Sequence, residues 1–177
     1  MGRVGGFPPA VVPEVSQAEL DAHEDAAGSH GEAIGAHAQI AAAHHPVGVK
    51  PAYAQIVADS DVFVGVEEDI IGLAVTITPA AGRRIRVTVD AGVRSTVPSD
   101  NAELRIQEGA TVLARRSVRL AGSADDYSLH FSVVLTPTAA AHTYKVTGIR
   151  TSGTGNILVD GDPTHPSYIM AEDIGPV

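Results

Sequence analysis

Hydrophobic and polar residues alternate one by one through much of the chain after residue 52. Positions 85–89, 104–106, 129–133 and 144–147 place apolar side chains on one face and polar side chains on the other. This period of two is typical of β-strands that cover a core with one face. Further strands are predicted at residues 54–58, 62–66, 71–78, 111–118, 157–159 and 168–171.

Turn-forming residues separate these predicted strands. Pro, Gly, Ser, Asn and Asp are concentrated at 79–82, 98–101, 122–126, 151–155 and 160–163. Eight to ten short strands with no helical pattern between them predict an antiparallel β-sandwich, and a jelly roll fits the strand count best.

A helical period precedes the strands. Ser16 and Glu19 form a capping box that begins a helix, and Pro46 ends it. Histidines recur at every seventh position, and an apolar residue lies three positions before each of them. With the apolar set at heptad position a and the histidines at d, the predicted coiled-coil seam is Leu20, His23, Ala27, His30, Ile34, His37, Ala41 and His44.

This seam is weak because Ala fills two of the four a positions and Gly28, Gly31 and Gly35 lower the helix propensity. We therefore expect the helix to supercoil only where a larger domain holds three chains together. Histidine layers that set the register, or histidines that face solvent, are favoured over layers that hold an ion. We accordingly predict no bound metal.

The first 15 residues are predicted to form an extended arm, because their prolines forbid a helix and their glycines keep the chain pliable. Such an arm buries apolar side chains only by docking on something else. The predicted anchoring residues are Phe7, Pro8, Pro9, Val11 and Val12. The alternative is an arm that folds back on its own domain.

Composition limits the functional classes. The chain has 177 residues, no Cys and no Trp, and its 12 basic and 21 acidic residues give a formal net charge of −9 at pH 7. Without Cys there is no disulfide framework and no Cys-ligated zinc. The acidic balance argues against nucleic-acid binding, which needs clustered Lys and Arg. No apolar run approaches the ~20 residues that span a bilayer, so we expect no membrane partner.

Catalytic motifs are not found in the sequence. It has no P-loop, no nucleophile elbow, no dinucleotide loop and no EF-hand. We therefore expect a protein that is not an enzyme and binds no cofactor. Asp160 and Asp162 are interpreted as a turn rather than a calcium site. Together with Tyr127 and Tyr168 they are the residues available to a glycan.

Three stretches carry a resemblance to a known family. Residues 131–138 read FSVVLTPT, residues 142–146 read HTYKV, and residues 166–176 read PSYIMAEDIGP. With the Pro-rich arm and the His-punctuated helix, they resemble virion proteins of tailed bacteriophages, particularly those infecting actinobacteria. The resemblance covers roughly residues 53–177. It implies a trimeric jelly-roll domain similar to the heads of tumour necrosis factor and complement C1q, without catalytic residues.

The expected organisation is therefore an anchoring arm at 1–15, a coiled-coil stalk at 16–45, a linker at 46–52 and a jelly-roll β-sandwich at 53–177. The expected function is that of a homotrimeric capsid decoration protein, minor capsid protein or tail-fibre-like spike on the exterior of a phage particle. Its expected partners are the major capsid protein or tail proteins. The alternative function is a module that binds a receptor or a glycan of the host surface.

Overall fold

The computed structural model describes residues 50–122 and 126–177, so the predicted arm and stalk lie outside the described residues. The described ranges form nine β-strands and contain no helix, and therefore none that could cross a membrane. The strands are β1 (Ala52–Ile56), β2 (Glu68–Ile77), β3 (Arg83–Ser95), β4 (Asp100–Glu108), β5 (Thr111–Leu120), β6 (Tyr127–Leu135), β7 (His142–Ser152), β8 (Ile157–Asp160) and β9 (Ser167–Pro176).

The strands pair antiparallel in two sheets. The first sheet has the order β1-β9-β3-β6, and β8 continues it by pairing with the end of β3 beyond β9. The second sheet has the order β2-β7-β4-β5. Consecutive strands mostly lie in opposite sheets, which is the strand order of a jelly roll. The antiparallel sandwich predicted from the alternating pattern is confirmed.

The core lies between the sheets and consists mainly of Val, Ile, Leu and Ala. Ile85, Val87, Val89, Ala91 and Val93 all point inward from the central strand β3 and are almost fully buried. The polar residues between them point outward, because successive side chains of a strand face opposite sides. The alternation along β3 thus directly sets which residues reach the core and which reach the surface.

The strand predicted at 62–66 is not formed, which corrects the sequence interpretation. Phe63 makes an isolated bridge to Ile157, and the rest of this segment is irregular. The Phe63 ring is buried against Gly148 of β7, where an added Cβ would lie 2.8 Å from a ring carbon. Phe63 therefore covers one end of the core, whereas Val62 and Val66 are exposed.

A buried carboxylate stabilises the turn between β7 and β8. Asp100, fully buried at the start of β4, accepts hydrogen bonds from the hydroxyl of Ser95 and from the backbone N–H groups of Thr154 (2.9 Å) and Gly155 (3.1 Å). Burial alone would raise the pKa of Asp100. These hydrogen bonds and the charge of Arg150 outweigh it and lower the pKa below its ordinary value of 3.8.

Candidate functional site

The outward side of the first sheet presents regular rows of side chains across four strands. We call this surface, with the residues listed here, the outer face. Its rows follow from the strand register and consist of Tyr53, Met170, Thr88 and Ser132; of Gln55, Tyr168, Asp90 and His130; and of Glu172, Arg86 and Val134.

Apolar side chains are exposed on this face. Tyr53 is 51% exposed and Val134 is 52% exposed, on the two edge strands of the sheet. The rings of Tyr53 and Tyr168 lie 5.5 Å apart between their centroids, at an angle of 32°. Aromatic rings that lie on a sheet surface in this way offer a large contact area at little cost in conformational entropy.

Each carboxylate of the outer face has a partner on the same face. Arg86 lies 2.7 Å from Glu172, and Nδ1 of His130 lies 3.2 Å from the Asp90 carboxylate. Opposite or hydrogen-bonding groups on neighbouring strands lower the cost of removing such a surface from water. The outer face is therefore better suited to burial than the strongly acidic composition of the chain suggests.

A cleft lies at one margin of the outer face, where β8 ends and the chain turns into β9. Its volume is about 470 Å³. The lining residues come from β3, the start of β6, the end of β8, and the loop and first residues of β9. They are Asp90, Gly92, Asp126, Ser128, Asp160, Asp162, His165, Pro166 and Tyr168.

The floor of the cleft is fixed by a buried serine. The hydroxyl of Ser167 donates to the Asp160 carbonyl (2.6 Å) and accepts from the Gly92 N–H (3.0 Å). Gly92 keeps this floor open, since an added Cβ would lie 3.1 Å from Cβ of Asp160. The junction of β8 and β9 is thus attached to β3 by side-chain hydrogen bonds where the regular sheet pairing changes strand.

Negative charge accumulates around Asp160. Arg94 pairs with Asp59 and lies 3.4 Å from Asp160, so the two carboxylates share one guanidinium. Burial raises the pKa of Asp160, and a hydrogen bond with Asp59 and the charge of Asp126 raise it further, against the lowering effect of Arg94. One arginine therefore does not neutralise this group of carboxylates.

Asp162 and His165 form the rim of the cleft. Oδ1 of Asp162 accepts hydrogen bonds from the backbone N–H (2.7 Å) and the hydroxyl (2.5 Å) of Thr164, which lower the pKa of Asp162. The Thr164 hydroxyl also lies 2.9 Å from Nδ1 of His165. The turn predicted at 160–163 is therefore held in an Asx-type conformation. Within the described ranges, no three His, Asp or Glu side chains are arranged to hold a metal ion.

Two groups of residues predicted from the sequence as functional lie outside the described residues. They are the anchoring residues Phe7, Pro8, Pro9, Val11 and Val12, and the seam residues Leu20, His23, Ala27, His30, Ile34, His37, Ala41 and His44. These assignments stay predictions.

The structure brings three of the four residues proposed for a glycan together. Asp160, Asp162 and Tyr168 all line the cleft. Tyr127 does not, since its hydroxyl accepts a hydrogen bond from the backbone N–H of Ala121 on the other side of the first sheet. The sequence interpretation missed Asp90, because the strand predicted at 85–89 ends one residue before it, whereas β3 continues to Ser95.

No model of a protein family matches the sequence, and no curated protein matches it. Solved structures are similar to it over about 70% of its length. Eiger TNF from S. frugiperda is 10% identical with a TM-score of 0.43, over 72% of this chain and 96% of the other. The structure of the Gt strain of infectious bursal disease virus is 14% identical with a TM-score of 0.37, over 71% of this chain and 38% of the other. The CBM36-1 domain of a xylanase from the hindgut metagenome of Trinervitermes trinervoides is 12% identical with a TM-score of 0.39, over 69% of this chain and 96% of the other. Likenesses this distant carry no argument about function.

Proposed function

We propose that this chain is a non-enzymatic structural component of a phage virion. In this proposal it is a homotrimeric decoration or spike protein. Residues 1–15 anchor it to the major capsid protein or to tail proteins, and the β-sandwich is displayed on the exterior of the particle. The sequence resemblance supports the virion context. The outer face supports association of the β-sandwiches, and it is the observation on which the proposal depends.

The size and the chemistry of the outer face support an interface between copies. The four strands have 5, 10, 13 and 9 residues. At a spacing of ~4.8 Å between strands they cover roughly 600 Å² in projection, which approaches the ~800 Å² per partner of a stable interface. Exposed Tyr53 and Val134 lie on opposite edges, so a heterologous contact can bring one edge of one copy against the other edge of the next. Three such contacts close a ring.

Trimeric association also explains how a short arm anchors the protein. Three arms on one trimer bind together with a high effective concentration, so occupancy is high although each arm contacts little surface. The alternative function, a module that binds a receptor or a glycan, is supported by the cleft at 90–92 and 160–168, which shares Asp90 and Tyr168 with the outer face.

Light scattering on the full-length protein tests the association. We expect three times the chain mass for the natural sequence, and the mass of one chain for Tyr53→Asp combined with Val134→Asp. Ile71→Asp is the matched control, because Ile71 is 75% exposed but lies on the second sheet. A monomeric natural protein, or a trimeric Tyr53→Asp/Val134→Asp variant with an unchanged circular dichroism spectrum, would contradict the proposed interface.

The anchoring role of the arm has a separate test. Deleting residues 2–13 should abolish co-sedimentation with phage capsids or tails and leave the trimer mass unchanged. Attachment that survives this deletion would contradict an anchoring arm while leaving the trimer intact.

A further inference from the structure

The cleft differs in chemistry from the rest of the first sheet. Asp90, Asp126, Asp160 and Asp162 contribute four carboxylates to its lining. No Lys or Arg side chain is among the lining residues, and Arg94, which lies 3.4 Å from Asp160, is shared with Asp59. Ionised carboxylates only accept hydrogen bonds. A ligand that fills this cleft must therefore supply donors, as hydroxyl groups or ammonium groups do.

The Asp162 carboxylate is held in place by hydrogen bonds to one of its two oxygens. Both hydrogen bonds from Thr164 go to Oδ1 of Asp162, which leaves acceptor capacity on Oδ2. The Asx-type turn fixes the direction of this oxygen before any ligand arrives. Preorganised acceptors of this kind cost little ordering entropy on binding.

Apolar surface borders the same space. Tyr168 and Pro166 contribute to the wall of the cleft, and the Tyr168 ring is supported from the outer face by Tyr53. A ring surface beside hydrogen-bond acceptors suits a ligand with an apolar side and a hydroxylated edge. A bare cation needs no such wall, and no group of three ligating side chains is present in the described residues.

We propose that the cleft lined by Asp90, Asp160, Asp162, Pro166 and Tyr168 binds a neutral or amino saccharide. The carboxylates accept hydrogen bonds from sugar hydroxyl or ammonium groups, and the C–H side of the sugar ring packs on Tyr168. Uronates, sialylated glycans and phosphorylated polymers are rejected, because like charge opposes their entry. The cleft volume of about 470 Å³ lies within the ~300–1,000 Å³ of small-molecule sites.

This inference goes beyond the structural role and does not depend on it. The cleft is formed by one chain. Two of its nine lining residues, Asp90 and Tyr168, also belong to the outer face, and the other seven lie beyond that face. A trimer without saccharide binding and a monomer with saccharide binding are both possible results, so each proposal fails by itself. Light scattering on the samples used for binding separates the two cases.

Saturation-transfer NMR and calorimetric titration of the full-length protein test the site with three sugars, methyl glucoside, glucosamine and glucuronate. Ethanolamine is a fourth probe, which carries an ammonium group without a sugar ring. At concentrations of tens of millimolar, even a ligand with a Kd of about 1 mM saturates the protein. We expect binding of the first two sugars and at least about tenfold weaker binding of glucuronate, because its carboxylate is repelled by the carboxylates of the cleft.

Two variants and a control localise the binding. Asp162→Asn keeps the oxygen that accepts from Thr164 but removes the charge, and Tyr168→Ala removes the ring. Each should weaken binding about tenfold or more, whereas Asp61→Asn, an equal charge change at an exposed carboxylate outside the cleft, should leave the Kd unchanged. The proposal would be overturned if no probe binds, or if glucuronate binds as tightly as the other sugars. It would also be overturned if Asp162→Asn leaves the Kd unchanged, or if glucosamine and ethanolamine bind while methyl glucoside does not.

Discussion

Replacing Asp100 by Ala tests how far one buried carboxylate stabilises the β-sandwich. The substitution removes the acceptor of the Ser95 hydroxyl and of the Thr154 and Gly155 N–H groups. Gly153 and Gly155 both pack on this carboxylate. An added Cβ would lie 1.7 Å from Oδ1 of Asp100 at Gly153 and 2.4 Å from Oδ2 at Gly155. The turn at 153–155 is thus built around Asp100, and water reaches the vacated space only if the turn opens.

The expected loss in the free energy of unfolding follows from the three hydrogen-bond donors that Asp100 accepts from. A hydrogen bond to a charged group contributes ~1.5–3 kcal/mol, and a buried donor left without a partner costs a further ~1–3 kcal/mol unless water replaces the acceptor. Because the turn lies at the end of the sandwich and can admit water in part, we expect Asp100→Ala to lower the free energy of unfolding by about 3–5 kcal/mol. That is a large share of the ~5–15 kcal/mol of a typical domain.

The assay is urea unfolding followed by far-ultraviolet circular dichroism, at one protein concentration because dissociation of an oligomer shifts the midpoint. The pKa of Asp100 is lowered in the folded state, so its contribution is complete above the ordinary value of 3.8 and is lost as the pH falls through the folded pKa. The difference between natural protein and variant should therefore narrow below about pH 4. The exposed Asp61→Ala is the control. A loss under about 1 kcal/mol, or a difference independent of pH, would refute this reasoning.

Three further substitutions have definite expected outcomes. Asp160→Asn should raise the thermal midpoint at pH 7, because the pKa of Asp160 is raised beside Asp59 and its ionisation opposes folding; the natural protein should approach the variant as the pH falls toward 4. Gly148→Ala should cost about 1–3 kcal/mol in urea unfolding, since its Cβ would lie 2.8 Å from the Phe63 ring, and Phe63→Leu should partly relieve the loss. Tyr144→Phe should leave stability unchanged or raise it by up to about 1 kcal/mol, because the buried Tyr144 hydroxyl has no hydrogen-bond partner among the described residues and burial raises its pKa to about 12. A midpoint lowered by Asp160→Asn, a neutral Gly148→Ala, or a loss above 1 kcal/mol for Tyr144→Phe would each contradict the corresponding account.

Local patterns predicted much of the sandwich because the physical signal is itself local. A strand with one buried face needs apolar residues at every second position, so Ile85, Val87 and Val89 mark both the strand and its inward side. Proline and glycine mark the turns because they restrict or extend the allowed backbone angles. The same reasoning failed at residues 62–66, where the apolar residues predicted a strand. Only an isolated bridge forms there, and Phe63 covers the end of the core.

The amino-acid sequence by itself determined the antiparallel sandwich, the aliphatic core and the alternation that separates Ile85 and Val87 from Arg86 and Thr88. Only the tertiary structure decided which of these residues meet. Asp100 becomes a buried acceptor through a turn more than fifty residues away, and the cleft joins β3 to the junction of β8 and β9. Such contacts depend on strand order and register, which arise from the packing of the two sheets as a whole, so no short stretch of sequence encodes them.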